Sequence, residues 1–393
     1  MYALGVLFFV VALLVSVMLH EFGHFLTAKR FGMKASRFFV GFGPTLWSFR
    51  RGETEYGVKA IPAGGFVKII GMTELEDVEP GDEGRAFYRF PAPQRLVVLA
   101  AGSFVHFLIA IVLLFIVIAT TGDILDVEPT LTVDSVSKCL PLDPNATTCT
   151  SKDPVAPAAG KLRAGDRIVA VDGQRVTTYD EAKARINASP DKAITLTVRR
   201  HGTTLDVSVT PLPTKQNGKV VGRIGIAPAL RQKPVSIAEA VPRTFTTIGE
   251  MTTETGRALG GLPHEISQIV HGQHRSTSGA ASVVDIARVS GQIAQAKVSF
   301  GERLANLLAI VAQLNFFVGV FNLLPLLPLD GGHIGIVLFE QARRRVYRWL
   351  GRGDPGRVDL LKVMPFTYAV VVVFIGLSAL LLYAGIVNPI SIQ

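Results

Sequence analysis

The run His20-Glu21-Phe22-Gly23-His24 sets two imidazoles four residues apart, with a carboxylate next to the first. On a helix, positions i and i+4 share a face, so both rings can reach one metal ion while Glu21 lies beside it. That set of groups is suited to hydrolysis. Zinc lowers the pKa of a bound water to about 7, and a neighbouring carboxylate can take its proton. The bare pattern also arises by chance, and a structural polar cluster or an interhelical proton relay would use the same residue types. The setting argues for chemistry: the motif follows directly on the apolar run Ala3–Leu19, where ionisable groups are costly unless they function.

A catalytic zinc site takes three protein ligands and keeps one position open. Asp330 is the only carboxylate in the apolar stretch from Asn322 to Gly332. Pro325 and Pro328 interrupt regular helix there, and Gly331-Gly332 is expected to loosen it again. Irregular backbone at membrane depth is tolerated where it is buried in protein or lines a wet cavity. An aspartate carried on such a break could meet His20 and His24.

The elements that must carry these residues are membrane spans. The chain has 393 residues, 49% of them hydrophobic and 18% charged, with a mean hydropathy of +0.38. A soluble domain would carry about 25% charged residues. The apolar run Ala3–Leu19 makes about 26 Å of helix, nearly the hydrocarbon thickness, so Leu4 to about Ala28 reads as the first span. This run has neither the basic start nor the small-residue cleavage site of a signal peptide. The other spans are Leu96–Thr120, Leu304–Leu329 and Phe366–Val387. The net charge of +9 gathers just outside these runs, as for loops facing anionic lipid, and no nucleic-acid motif accompanies it. Lys29, Arg30, Lys34, Arg37, Arg50 and Arg51 crowd one loop, and Arg343, Arg344, Arg345 and Arg348 another. Both loops are therefore expected to be cytoplasmic, with both termini and residues 121–303 outside.

Within 121–303, short alternating runs such as Arg167–Val171, Ala193–Val198 and Leu205–Val209 read as strands, with a helix over Asp180–Asn187. The stretch Ala158 to Gly173 resembles the signature of a PDZ domain. Cys139 and Cys149 fit no zinc spacing; they pair if this region faces an oxidising compartment, and are otherwise free thiols in a loop. Between the first two spans, Gly41-Phe-Gly-Pro44, Thr45–Phe49, Thr54–Ala60 and Gly65–Ile70 read as a small aromatic-rich antiparallel sheet. A transmembrane helix shields its own carbonyls, so hydrolysis needs a locally extended substrate. A strand edge can supply the lost hydrogen bonds, which gives residues 45–70 a substrate-clamping role. A hairpin that only closes the cytoplasmic side would read the same way.

H-E-x-x-H in the first helix with N-x-x-P-x-x-P-L-D-G in a later one resembles the site-2 protease family. The G-F-G segment, one PDZ domain and four spans are similar to its bacterial regulator-of-sigma-E protease branch. The resemblance implies one zinc ion held by His20, His24 and Asp330, with Glu21 as general base. It implies that Asn322 helps hold the substrate, and Gly43, Tyr56, Val58, Pro325 and Pro328 are further candidates for substrate contact. The substrates it implies are single-pass membrane proteins such as anti-sigma factors, already cut by an upstream site-1 protease and screened by the PDZ domain. The implied location is the bacterial inner membrane. One departure is visible: the family's G-P-x-x-N in the second helix is here Gly102-Ser-Phe-Val-His106. His106 is then either a histidine hydrogen-bonded between helices or a fourth ligand.

The expected architecture is an α-helical polytopic membrane protein of four transmembrane helices with a small cytoplasmic-side membrane-associated β-sheet and an extracytoplasmic PDZ domain. Residues 1–28 form the first span, 29–95 the sheet loop, 96–120 the second span and 121–230 the PDZ domain. Residues 231–303 form a linker with an amphipathic helix, 304–340 the third segment with Asp330, 341–365 a basic loop, and 366–393 the last span. Two other functions would use parts of this chain: a non-catalytic PDZ adaptor, and a metal or proton transporter. The transporter lacks a visible inverted repeat. His264, His271 and His274 have spacings that fit loop residues better than a second metal site, and Asn145-Ala-Thr147 matches a glycosylation sequon.

Overall fold

The computed structural model describes residues 1–72, 78–141, 149, 153–216, 219–270, 281–296 and 298–387. His271, His274 and the sequon at Asn145 lie outside the described residues. In chain order the elements begin α1 (Tyr2–Phe31), β1 (Ala35–Arg51), β2 (Thr54–Ile69) and α2 (Ala92–Thr121). Then come β3 (Asp123–Val136), β4 (Arg167–Val171), β5 (Gln174–Arg175), α3 (Tyr179–Asn187), β6 (Ile194–Arg200) and β7 (Thr203–Val209). After β8 (Leu212–Gln216), β9 (Lys219–Arg223) and β10 (Ile226–Lys233) the rest is helical: α4 (Ile237–Val270), α5 (Val283–Gln295), α6 (Phe300–Asn322), α7 (Asp330–Trp349) and α8 (Leu360–Val387). Contacts divide the chain into two units, Met1–Thr121 with Ser236–Gln393, and Gly122–Val235.

Among the described residues, four helices of the first unit are long and apolar enough to cross a membrane: Tyr2–Phe31, Ala92–Thr121, Phe300–Asn322 and Leu361–Val387. α1 stops at Gly32, whose positive φ of 86° lets its N–H turn back to the carbonyls of Ala28 and Lys29. Lys29 and Arg30 in the last turn suit the negative end of the helix dipole. α2 buries Val98, Gly102, His106, Ala110, Leu114 and Val117, a stripe at helical spacing against its neighbours. α6 opens on a capping box, Ser299 Oγ accepting from the Glu302 N–H and Glu302 accepting from the Ser299 N–H.

The sequence carries the third span to Leu329, but helix ends at Asn322. Pro325 has no N–H to continue the ladder, and the residue before it is pushed out of helical conformation. Residues 323–329 run as turns with a cis Leu327–Pro328 bond, and α7 starts afresh at Asp330.

β1 and β2 form a long hairpin around Gly52 (φ 62°) that folds back on itself. Phe38 lies opposite Val67 on one side and Tyr56 on the other, and Tyr56 is opposite Phe49 as well. Residues 37–40 and 55–58 are thus interior, with partners on both sides, and residues 65–69 form one edge. The hairpin tip is pinned to the end of α1 through Glu53, which accepts from Arg85 (2.5 and 3.0 Å) and Lys29 (2.7 Å). Those cations, Arg85 first, hold the Glu53 carboxyl down to about 2.

The second unit is built on a six-stranded sheet in the order β10-β3-β4-β6-β7, with β5 paired to β4, beside the β8–β9 hairpin. β6 alternates, so Ile194, Leu196 and Val198 point into one core with Ile168, Val171 and α3's Ala182 and Ile186. Asp166, fully buried, accepts from Arg200 at 2.6 and 2.7 Å and from the Arg163 N–H at 2.8 Å. The Arg200 guanidinium holds its carboxyl below the usual range. Cys139 and Cys149 are joined in a disulfide.

Candidate active site

His20 and His24 lie one turn apart on the face of α1 that α2 covers, and both are buried. The approach depends on two glycines. A β-carbon on Gly23 would stand 2.8 Å from the Ala101 carbonyl oxygen, and one on Gly102 would run into His20 Cε1 and His24 Nε2. A helix pair with larger residues at these positions could not close over the imidazoles.

Asp330 is the first residue of α7. The break that delivers it is tightly packed: a β-carbon on Gly332 would be 2.6 Å from the Leu327 nitrogen, and one on Gly331 would overlap the carbonyls of Leu323 and Leu324. Gly331 and Gly332 therefore do not loosen the segment, contrary to the sequence reading. Both are helical, and their lack of side chains lets α7 turn in directly beneath the loop.

Three atoms converge. His20 Nε2 and His24 Nε2 are 3.1 Å apart, and each is 3.4 Å from Asp330 Oδ2. His24 Nδ1 lies 2.7 Å from the Val98 carbonyl, which only accepts, so the ring hydrogen sits on Nδ1 and Nε2 presents a lone pair. A ring lone pair facing a carboxylate oxygen in a buried site calls for a cation between them. Ligand atoms about 2.0–2.1 Å from a tetrahedral zinc lie about 3.3 Å from one another. The observed separations match that spacing, so the donor set fits zinc.

Glu21 sits beside the cluster on the same helix, and its Oε2 accepts from the Val67 backbone N–H at 2.9 Å. His106 is a buried neighbour, its ring centroid 4.9 Å from that of His20. It stands outside the three-residue group whose ligand atoms share one centre. Its Nδ1 is 2.8 Å from Asn315 Oδ1, and the Asn315 amide donates to Ser16 Oγ (3.0 Å) and the Val311 carbonyl (2.8 Å). Of the two readings of His106, the structure bears out the interhelical hydrogen bond.

The remaining candidates are not gathered at one point. Asn322 is half-buried at the end of α6, and Pro325 and Pro328 are exposed in the break. Gly43 is exposed in the bulged part of β1, with φ 82°. Tyr56 and Val58 have partners on both sides, Val58 facing Val40 and Trp47, so they can offer a ligand side chains but no free backbone. Sequence reasoning missed Val67, Val98, Gly102 and Asn315. Gly102 stood at the glycine of the family's second-helix motif without its role showing, and Asn315 was one amide among Asn306, Gln313 and Asn322 in an apolar run.

The family profile described as Peptidase family M50 matches residues 8–349. The chain is similar to zinc metalloprotease Rip1 of Mycobacterium tuberculosis, 38% identical over 410 residues that cover 100% of this chain and 99% of the relative. It is similar to Rip1 of Mycolicibacterium smegmatis at 36% identity over 415 residues, with the same coverage.

Proposed function

The chain belongs to peptidase family M50, the site-2 proteases, and from that premise we propose that His20, His24 and Asp330 hold its zinc ion while Glu21 serves as general base. The protein is a zinc metalloprotease with membrane-spanning helices. The observation that carries the assignment is the meeting of two Nε2 atoms and one carboxylate oxygen within 3.1–3.4 Å, drawn from the two ends of the chain.

When bound, zinc supplies Lewis acidity, polarising the scissile carbonyl and making water acidic enough to lose a proton near neutral pH. Glu21 Oε2 is engaged by the Val67 N–H, so Oε1 is the atom that takes the proton from water and returns it to the departing amine. The Val98 carbonyl keeps His24 in the tautomer whose Nε2 faces the ion. Gly102 keeps the space over both rings clear.

The substrates in this reading are transmembrane segments of single-pass proteins of the anti-sigma type, cut first by a site-1 protease. Asn322, Pro325 and Pro328 beside Asp330 would hold the extended segment, with Gly43, Tyr56 and Val58 contributing contacts from the hairpin. Residues 122–235 would be a PDZ domain outside the cell membrane, screening substrates. The PDZ-like signature at Ala158–Gly173 supports that reading, and the Cys139–Cys149 disulfide suits an oxidising compartment. The positive-inside rule then keeps the hairpin and the α7–α8 loop cytoplasmic and both termini outside.

Glu21→Gln tests the assignment. The variant should keep one zinc per chain and lose cleavage, and fragment proteomics should find substrates accumulating as membrane-bound stumps. Cleavage at the normal rate by Glu21→Gln would remove Glu21 from the mechanism.

A further inference from the structure

We propose that the backbone N–H of Val67, on the edge of the β1–β2 sheet, is the positioning group for the general base Glu21. The inference rests on the catalytic role given to Glu21 above.

Val67 lies opposite Phe38, yet its N–H donates to Glu21 Oε2 at 2.9 Å. In an antiparallel ladder, alternate residues turn their N–H and C=O away from the partner strand. Residues 65–69 have no further strand beside them among the described residues, so that edge is presented to α1. Gly65 shows how close the approach is. A β-carbon there would run into Met18 Sδ and stand 2.9 Å from the Phe39 carbonyl oxygen. Two residues of strand, Gly65 and Val67, thus run alongside one turn of helix, Met18 and Glu21.

A free carboxylate beside a metal site can rotate about its last torsion and turn either oxygen, or both, toward the cation. A donor fixed on Oε2 removes that freedom. It leaves Oε1 as the oxygen that faces reacting water, and it keeps Glu21 from swinging in as a ligand. A backbone donor in a sheet is suited to this because its direction is set by the ladder rather than by a flexible side chain. The sheet is itself tied to α1 through Glu53, Arg85 and Lys29, so the donor and the base keep their relative height.

The test removes only the N–H. Replacing Val67 by its α-hydroxy acid converts the amide to an ester and keeps the side chain. Misplacing a catalytic group by about 1 Å costs on the order of 100-fold, so kcat on a transmembrane substrate should fall ~10–100-fold. KM and bound zinc should stay unchanged. A second measurement needs no turnover: hydrogen exchange at the Val67 amide of the zinc-loaded protein should quicken in Glu21→Ala and remain slow in Glu21→Gln, whose amide oxygen can still accept. An ester variant with parental kcat, or one that changes KM alone, overturns the inference. So does an exchange rate indifferent to Glu21→Ala. If Glu21→Gln abolishes cleavage while the ester does not, only the positioning role fails. If Glu21→Gln still cleaves, the assignment of the base fails first.

Discussion

Gly102 of α2 faces His24 of α1 so closely that a β-carbon on the glycine would overlap the imidazole Nε2. The two residues belong to different spans and neither position announces the other. Gly102→Ala should therefore displace both rings without removing a ligand. Loss of such support typically lowers metal affinity about 10–100-fold. Zinc retained after dialysis against a graded chelator series should fall accordingly, with helix content unchanged. Full zinc retention by Gly102→Ala would mean the rings have room the structure does not give them.

The His106–Asn315–Ser16 chain links three spans through buried polar groups. Asn315→Leu leaves the His106 Nδ1–H and the Ser16 hydroxyl without this partner. Interhelical hydrogen bonds in membrane proteins are worth about 0.6 kcal/mol on average and up to about 1.7. Unfolding in mixed micelles should report a loss in that range, with zinc content kept. A larger loss accompanied by zinc release would give Asn315 a part in the metal site itself.

Arg95 of α2 and Glu340 of α7 form a buried ion pair at 3.1 Å, and Glu340 also accepts from the Val358 N–H at 3.1 Å. Removing one partner strands the other charge, at a cost of about 3–5 kcal/mol. Glu340→Leu should thus be far less stable than the double variant Arg95→Leu/Glu340→Leu. Because α7 begins at Asp330, Glu340→Leu should also release zinc more readily. Equal stability of the single and double variants would show that the pair carries no buried-charge penalty.

Glu53 makes the hairpin acid-sensitive. Its carboxyl is depressed from an ordinary value of 4.5 to about 2 by Arg85 and Lys29. A depressed carboxyl stabilises the fold fully above the ordinary value, and the stabilisation disappears as pH falls through the folded one. Between about pH 4.5 and 2 the hairpin tip should come away from α1. Trp47 reports this directly, since Trp349→Phe leaves it the only tryptophan. Glu53→Gln should give the acid-type emission already at pH 7. An acid transition unchanged by Glu53→Gln would assign it to other groups.

Four apolar runs and an H-E-x-x-H at the end of the first could be read directly, because helical periodicity alone puts His20 and His24 on one face. Asp330 was legible as the lone carboxylate of an apolar stretch, and Pro325 as the point where regular helix fails. The identity of those residue types follows from local rules that act within a turn or two of the chain. What only tertiary structure decided is everything that depends on a partner distant in sequence. Val67 and Val98 act through backbone atoms that every residue possesses, so no side chain marks them. Gly102, Gly331 and Gly332 matter for the side chain they lack, which becomes visible only when another segment fills the space. The hairpin looked like a simple ladder until its fold-back made Tyr56 interior and gave Val67 the edge, since which strand lies outermost is a property of the assembled sheet.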